Sequence, residues 1–282
     1  MNLLITLLTA ATSQGGTGFW GSFVNFLESI IEGIYKIVPN YGVSIIIMTL
    51  LTRLVLLPLE LKSKKSTMEM SEAQKKLQPE LEKINKKYKD DPEKLNKKTM
   101  QLYEKHGINP LGGCFGGCLP LLIQIPVTLA LYAALRQISN YHIERQSVEA
   151  FLWIKNIWAP DSPFVDIYGK SLPLGSKNWN GLFILPLIAG ITSFYQTKLM
   201  SDQQPSSQEE NPMKGFNTIM PIMFTFITAT TTASFGIYWV TSNLFQIAQI
   251  LILNRKKEKK EEEMEEKENS KEDTKSLDKK RR

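Results

Sequence analysis

Long stretches of this chain carry almost no charge, and they alternate with segments that are dense in charge. A helix needs about 20 mostly apolar residues to cross a hydrocarbon core. The stretch 215–254 has 40 residues without a charge, so we expect it to fold back as a hairpin of two helices. The pattern predicts an all-α polytopic membrane protein with five transmembrane helices, at residues 41–61, 111–135, 179–197, 215–232 and 235–254.

The distribution of charge supports this class and gives an orientation. Residues 62–107 carry 13 Lys and eight acidic residues, and residues 254–282 carry 12 Lys or Arg and ten acidic residues. A water-soluble enzyme would need charge over its whole surface, so the clustering argues against one. Because cytoplasmic segments are rich in Lys and Arg, we expect both segments inside the cell and the N-terminus outside.

Residues 19–38 are predicted to form an interfacial amphipathic helix on the outer leaflet. A packed core helix is the alternative. The apolar face of this predicted helix has six members: Phe19, Phe23, Leu27, Ile30, Ile34 and Val38.

Residues 62–107 are predicted to form a cytoplasmic charged helical hairpin. Apolar residues recur at helical spacing from Leu77 to Tyr88, and Asp91 followed by Pro92 has the pattern of a helix start. Such a hairpin either docks a partner or is a solvated structure without one. The remaining segments are an N-terminal segment with a weak signal-like run, an extracellular loop, a cytoplasmic linker and a charged cytoplasmic tail, at 1–18, 136–178, 198–214 and 255–282.

Arg53 is the most informative single residue. It lies eight residues before Leu61, or about 12 Å from the cytoplasmic end of its helix, which is too far for full snorkelling. A charge at that depth is costly unless it faces water or a partner, so it indicates function. Glu60 is expected at the cytoplasmic end of the same helix, which would leave Arg53 without an acidic partner in this chain and able to attract an acidic segment of another polypeptide.

Other polar residues on the predicted spans are candidates to line a hydrated groove with Arg53. Each could instead be an interhelical hydrogen-bond partner, worth about 0.6 kcal/mol. The candidates are Thr49, Gln124, Gln196, Trp239 and Asn243.

The sequence offers no apparatus for catalysis and implies no cofactor. Cys114 and Cys118 have a spacing that suggests a metal site, but two thiols without a nearby His cannot close one, and small-residue helix packing is the favoured interpretation. His106 and His142 are expected on opposite sides of the membrane. No phosphate-binding loop, serine nucleophile motif or zinc-protease motif is found, so we predict no enzyme activity.

Several stretches resemble the YidC/Oxa family of membrane protein insertases. The resemblance runs in order from about residue 19 to residue 249. The similar stretches are TRLVLLPL at 52–59, YEKHGINP at 103–110, CLPLLIQIP at 118–126, FLW at 151–153, ILPLIAGITSFYQ at 184–196, IMPIMF at 219–224 and GIYWVTSNLFQIAQ at 236–249.

The resemblance implies a five-span bundle around a groove that is open to the cytoplasm and the lipid and closed toward the outside. Arg53 would attract the acidic end of a nascent membrane protein, and the groove would be lined by Gln124, Gln196 and Trp239. Nascent membrane proteins and the lipid bilayer are the implied partners. A ribosome or targeting particle would meet the hairpin and tail, and the Sec translocon is left open. The implied location is a bacterial plasma membrane of Gram-positive type.

Two other classes of function compete with this expectation. A secondary transporter for an anionic solute would use Arg53 as the counter-charge of its substrate, although no paired half-repeat is visible. A scaffold that only anchors the charged tail would leave the cost of Arg53 unexplained.

Overall fold

The computed structural model describes residues 18–89, 91–106, 110–173, 176–201 and 212–255, and helices are the main regular structure in these ranges. The predicted all-α class is confirmed for these ranges. Residues 1–17, most of the linker and the tail after Arg255 lie outside them. The helices are α1 Phe19–Ile37, α2 Tyr41–Lys87, α3 Pro92–Lys105, α4 Pro110–Glu144, α5 Ile184–Ser201, α6 Pro212–Thr230 and α7 Ala233–Arg255.

Two helical stretches among the described residues are long and apolar enough to cross a membrane. They are Tyr41–Lys65, the first half of α2, and Ala233–Arg255, which is α7. Ile219–Thr230 in α6 is apolar but shorter. Length and composition thus support two of the five predicted spans, and the remaining three stay predictions.

The first predicted span and the charged hairpin share one continuous helix. At the start of α2, the Asn40 side chain accepts a hydrogen bond from the Val43 backbone N–H at 3.0 Å. The helix then continues without a break to Lys87, because the Lys, Glu and Gln residues beyond residue 61 are also good helix formers.

The charged segment turns back between α2, which ends at Lys87, and α3, which begins at Pro92. The Asp91 carboxylate accepts from the Lys94 backbone N–H at 3.0 Å and caps α3. The Lys94 ammonium, 2.7 Å from the same carboxylate, lowers the pKa of Asp91, and the backbone hydrogen bond lowers it further. Leu77 and Leu81 of α2 form a small apolar cluster with Leu102 of α3. This cluster holds the two helices of the hairpin together.

The packed face of α1 overlaps the predicted apolar face without coinciding with it. Gly21, Val24, Leu27 and Ile31 are buried, and α1 packs against α2 and α4, whereas Phe19 is 88% exposed. Phe23, Ile30 and Ile34 of the predicted face are partly buried against the same core, so the packed face is rotated from the predicted one but not opposite to it. The location of α1 at a membrane surface stays a prediction.

The segment between α4 and α5 forms an ordered cap over one end of the helices. Trp158 is fully buried and its ring lies parallel to that of His142, with centroids 4.8 Å apart. The backbone carbonyls of Ile157 and Ala159 accept from the N–H groups of Ser234 and Ala233, at 2.9 and 3.0 Å. The segment therefore satisfies N–H groups in the first turn of α7, which have no partner within the helix.

The same segment caps α5. Asp161, which is 1% exposed, accepts from the Leu185 backbone N–H at 2.7 Å, from Phe183 N–H at 3.2 Å and from the Trp153 indole at 3.1 Å. Residues 179–183, predicted as the start of a span, belong to this segment and not to a helix. A carboxylate at a helix start satisfies free N–H groups and interacts favourably with the helix dipole.

Candidate functional site

Arg53 is held in the interior by side chains from three helices. Its side chain is buried, and its Nη1 donates to Gln124 Oε1 of α4 at 2.7 Å. Its Nη2 donates to the Ser242 hydroxyl of α7. The guanidinium thus joins α2, α4 and α7 at one point.

The structure corrects the expectation that Arg53 has no acidic partner in this chain. Arg53 Nη1 lies 3.0 Å from Glu60 Oε1, and the two groups form an ion pair. Seven residues correspond to nearly two helical turns, so Arg53 and Glu60 share a face of α2 about 10 Å apart along its axis. Two long side chains that extend toward each other cover that distance.

Gln124 connects Arg53 to a neutral hydrogen-bond network. Its carboxamide oxygen accepts from Arg53, while its Nε2 donates to Thr128 Oγ1 at 2.8 Å and to the Tyr238 hydroxyl at 3.3 Å. The hydroxyl oxygens of Thr128 and Tyr238 are also 3.0 Å apart, within hydrogen-bond distance. Since the acceptor and donor ends of one amide are both used, this network fixes the orientation of Gln124 and, through it, of the guanidinium.

A second polar cluster lies between α5 and α7. Asn243 Nδ2 donates to Ser193 Oγ at 2.9 Å and to Thr192 Oγ1 at 3.2 Å, and the Trp239 indole donates to the same Ser193 at 3.1 Å. Gln196 Nε2 donates to Gln246 Oε1 at 2.8 Å. These contacts run along the two helices as a row of hydrogen bonds across their interface.

The structure therefore divides the predicted site residues into two groups. Arg53 and Gln124 are in direct contact, whereas Gln196, Trp239 and Asn243 belong to the second cluster. Thr49 joins neither group through its hydroxyl, which donates to the Ile45 carbonyl of its own helix at 2.6 Å. Ser242 and Asn243 are neighbours on α7 and connect the two clusters along the chain.

Sequence reasoning missed four residues that the structure places in these clusters. Glu60 shares a helical face with Arg53, and Tyr238 and Ser242 are four residues apart on α7, so periodicity could have identified all three. Ser193 carries no such signal, because its role depends on which face of α5 meets α7. The four missed residues are Glu60, Ser193, Tyr238 and Ser242.

A further polar contact lies one turn beyond Glu60. Lys64 donates to Gln249 Oε1 of α7. Among the described residues, Glu60 Oε2 and Gln249 Nε2 are buried without a hydrogen-bond partner. Between α2 and α7, Arg53, Glu60 and Lys64 therefore follow one another along α2 toward its charged half.

The chemistry that this arrangement offers is binding by charge and hydrogen bonds. Arg remains protonated at any ordinary pH, so Arg53 cannot transfer a proton. No group of three or more His, Cys, Asp or Glu suited to a metal ion occurs among the described residues. The side chains of Cys114 and Cys118 lie outside the description, so the two interpretations of that pair stay open.

Comparison with known proteins places the chain in a family. A sequence model of the family described as "60Kd inner membrane protein" matches residues 33–261. The chain is 35% identical over 238 residues to the membrane protein insertase MisCA of Bacillus subtilis, with 83% of this chain and 79% of that protein covered. It is 37% identical over 236 residues to the membrane protein insertase YidC of Clostridium tetani, with 83% and 89% covered.

A crystal structure of an active YidC insertase is also similar, at 26% identity and a TM-score of 0.49, over 88% of this chain and 49% of that one. The family assignment rests on the sequence matches. The residues that the family model matches, 33–261, include Arg53 and both polar clusters. The chain belongs to the 60Kd inner membrane protein family, the family of the YidC and MisCA membrane protein insertases.

Proposed function

We propose that this protein inserts newly made membrane proteins into the bilayer and helps them fold, and that Arg53 attracts acidic segments of these clients. The observation that carries the proposal is a permanently charged side chain, 3% exposed, inside an apolar helix of a chain in the insertase family. Such a charge is costly in a membrane interior, and a structural hydrogen bond does not require one.

The proposed membrane arrangement has five spans with the N-terminus outside. α2 and α7 would supply two spans, for which they are long and apolar enough, and α4, α5 and α6 would supply the other three. The Lys-rich half of α2 and α3 would project into the cytoplasm, in keeping with the excess of Lys and Arg on that side of membrane proteins. The segment between α4 and α5 would then lie outside.

The cap over α5 and α7 supports a groove that is closed toward the outside. The cap uses backbone carbonyls and the Asp161 carboxylate to satisfy the first turns of both helices. Unpaired helix ends would require water. With these groups paired, a water path from the outside would have to disrupt the hydrogen bonds of the cap.

The two polar clusters would line the path of a client from the cytoplasmic side. Arg53 and Gln124 would meet its acidic segment, while Gln196, Trp239 and Asn243 would exchange hydrogen bonds with its polar backbone and side chains. Thr49, one helical turn before Arg53, would contribute little because its hydroxyl is already satisfied by its own helix. The apolar span of the client would move sideways into lipid.

The driving force would come from the client itself. A span of about 20 apolar residues gains a large free energy on leaving water for hydrocarbon, so the proposed cycle requires neither ATP nor a cofactor. The protein would lower the barrier for the polar end of the client, which must cross an apolar layer. The α2–α3 hairpin and the basic tail would meet a ribosome or targeting particle, whose RNA favours Lys-rich surfaces, and the Sec translocon could be a further partner.

The proposed function is tested with purified full-length protein in liposomes. A short single-span client with an acidic tail is synthesised in the presence of protein-containing or empty liposomes. Protease protection of the client above the level of empty liposomes is the expected result. The same liposomes are tested for accumulation of a labelled organic anion. Anion uptake without client insertion would contradict the proposal and favour the transporter.

A further inference from the structure

Glu60 is the acidic group that the fold itself brings to Arg53. Its Oε1 lies 3.0 Å from Arg53 Nη1, and the two side chains are 4% and 12% exposed. Its Oε2 is buried and has no hydrogen-bond partner among the described residues. The pair is therefore a buried contact in which only half of the carboxylate is satisfied.

A client carboxylate and Glu60 would compete for the same guanidinium. Nη1 already donates to Gln124 and Nη2 to Ser242, which are neutral acceptors. A second carboxylate added beside Glu60 would place two negative charges on one cation, and such neighbours repel. Displacement of Glu60 would instead exchange one ion pair for another and leave the net charge of the site unchanged.

The displaced carboxylate would find donors one helical turn away. Lys64 is four residues after Glu60, so the two share a face of α2. Lys64 donates to Gln249 Oε1, and Gln249 Nε2 is buried without a partner among the described residues. A Glu60 side chain that leaves Arg53 could accept hydrogen bonds from both groups.

We propose that Glu60 is a specificity-determining residue, a tethered counter-ion that occupies Arg53 at rest and yields it only to a client whose own acidic side chain displaces it. This inference rests on the proposed insertase function and deepens it. Competition sets a threshold, because a client with several acidic residues displaces Glu60 more readily than a client with one.

The test compares clients that differ only in the number of acidic residues in the tail, which is zero, one or two. Wild type and Glu60→Gln are reconstituted in liposomes at equal amounts, and initial rates of insertion are measured. The control variant, Glu144→Gln, makes the same change of charge at the exposed end of α4. Glu60→Asp keeps the charge but has a side chain one methylene shorter. It is the second variant, and it replaces Glu60→Gln in the comparison if Glu60→Gln does not fold.

Glu60→Gln should raise the insertion rate of the one-acid client by about fivefold, because the client carboxylate no longer has to displace the carboxylate of a buried ion pair. The insertion rate of the zero-acid client should be unaffected. The two-acid client already displaces Glu60 more readily and should gain less than the one-acid client, so the ratio of their insertion rates should fall. Glu60→Asp should shift the same ratio in the same direction by less, and Glu144→Gln should not shift it.

An equal change for all three clients would overturn the inference, since it would indicate a purely structural role. An unchanged dependence on acid number in a Glu60→Gln protein that folds would also overturn it. Failure of the proposed function is distinguishable from both outcomes. In that case the wild type inserts no client above the level of empty liposomes.

Discussion

A buried arginine is tolerated when its guanidinium finds partners, and Arg53 finds them in Glu60, Gln124 and Ser242. These contacts offset part of the cost of removing the charge from water. Gln124 is the neutral partner with the most connections, because Thr128 and Tyr238 hold its other end. Neutral side chains therefore help to fix the position of the Arg53 guanidinium.

Gln124→Leu should lower the thermal stability of the detergent-solubilised protein. It removes an acceptor of a buried charged donor, a loss of about 1.5–3 kcal/mol, whereas Tyr238→Phe removes only neutral contacts, about 1 kcal/mol. The measurement is the unfolding midpoint of each variant. If Gln124→Leu is no less stable than Tyr238→Phe, Gln124 does not support Arg53.

At this scale the sequence predicted the cation but not its counter-ion. Arg53 is identifiable because any charge in an apolar helix stands out. Glu60 was assigned to the cytoplasmic end of the helix, although its spacing from Arg53 already places both on one face. The pairing of Trp239 and Asn243 with Ser193 could not be predicted, because it depends on how α5 and α7 pack.

At the scale of elements, the segment between α4 and α5 acts as a cap. Its central residues are buried polar groups, and Asn156 and Asn180 are both 0% exposed. The Asn180 carboxamide accepts from the Asn156 backbone N–H at 2.8 Å and donates to the Asn156 carbonyl at 2.9 Å. Sequence patterns predicted only an extracellular loop here. Contacts between residues 20 or more apart follow no local periodicity, so the cap was not predictable.

Asp161→Ala should destabilise the protein by about 2–4 kcal/mol, because it leaves buried donors at Trp153, Phe183 and Leu185 unpaired. Asp166→Ala is the matched control. The Asp166 carboxylate accepts from the N–H groups of Tyr168 and Lys170 in its own turn. The two variants are compared by thermal unfolding, and equal losses would contradict the role of Asp161 as a remote cap of α5.

Gly181→Ala should also destabilise the cap. A Cβ at Gly181 would lie 1.9 Å from Asp161 Oδ1, whereas a Cβ at Gly33 within α1 would meet nothing within 4 Å. Gly33→Ala should be neutral or stabilising by about 0.5–1 kcal/mol, as is usual for Gly in a helix. The unfolding midpoints should therefore move apart, and a tolerated Gly181→Ala would show that Asp161 is not held tightly.

At the scale of the whole molecule, α2 joins an apolar half to a charged half in one helix. It begins beside the cap, where Tyr41 contacts Trp158 with ring centroids 5.0 Å apart, passes Arg53 and ends in the charged hairpin. The all-α class and the alternation of apolar and charged segments were predictable, since both follow from local composition. The continuity of α2 was not, because predictions divided it where the hydropathy changes.

Reporter cysteines on opposite sides test the proposed orientation. In a variant with Cys114 and Cys118 replaced by Ser, Lys97→Cys on α3 and Lys170→Cys in the cap both change exposed residues. An impermeant maleimide should label residue 97 only in inside-out vesicles and residue 170 only in right-side-out vesicles. Labelling of both from the same side would contradict the arrangement.

The central claim is that Arg53 attracts the acidic segment of a client, and the most direct measurement is insertion by Arg53 variants. Liposomes containing wild type, Arg53→Lys or Arg53→Ala receive single-span clients with an acidic or a neutral tail. Arg53→Lys should retain much of the activity, and Arg53→Ala should lose about tenfold for the acidic client, as expected for one lost charged contact. If Arg53→Ala inserts the acidic client as fast as the wild type, Arg53 is not the attractor.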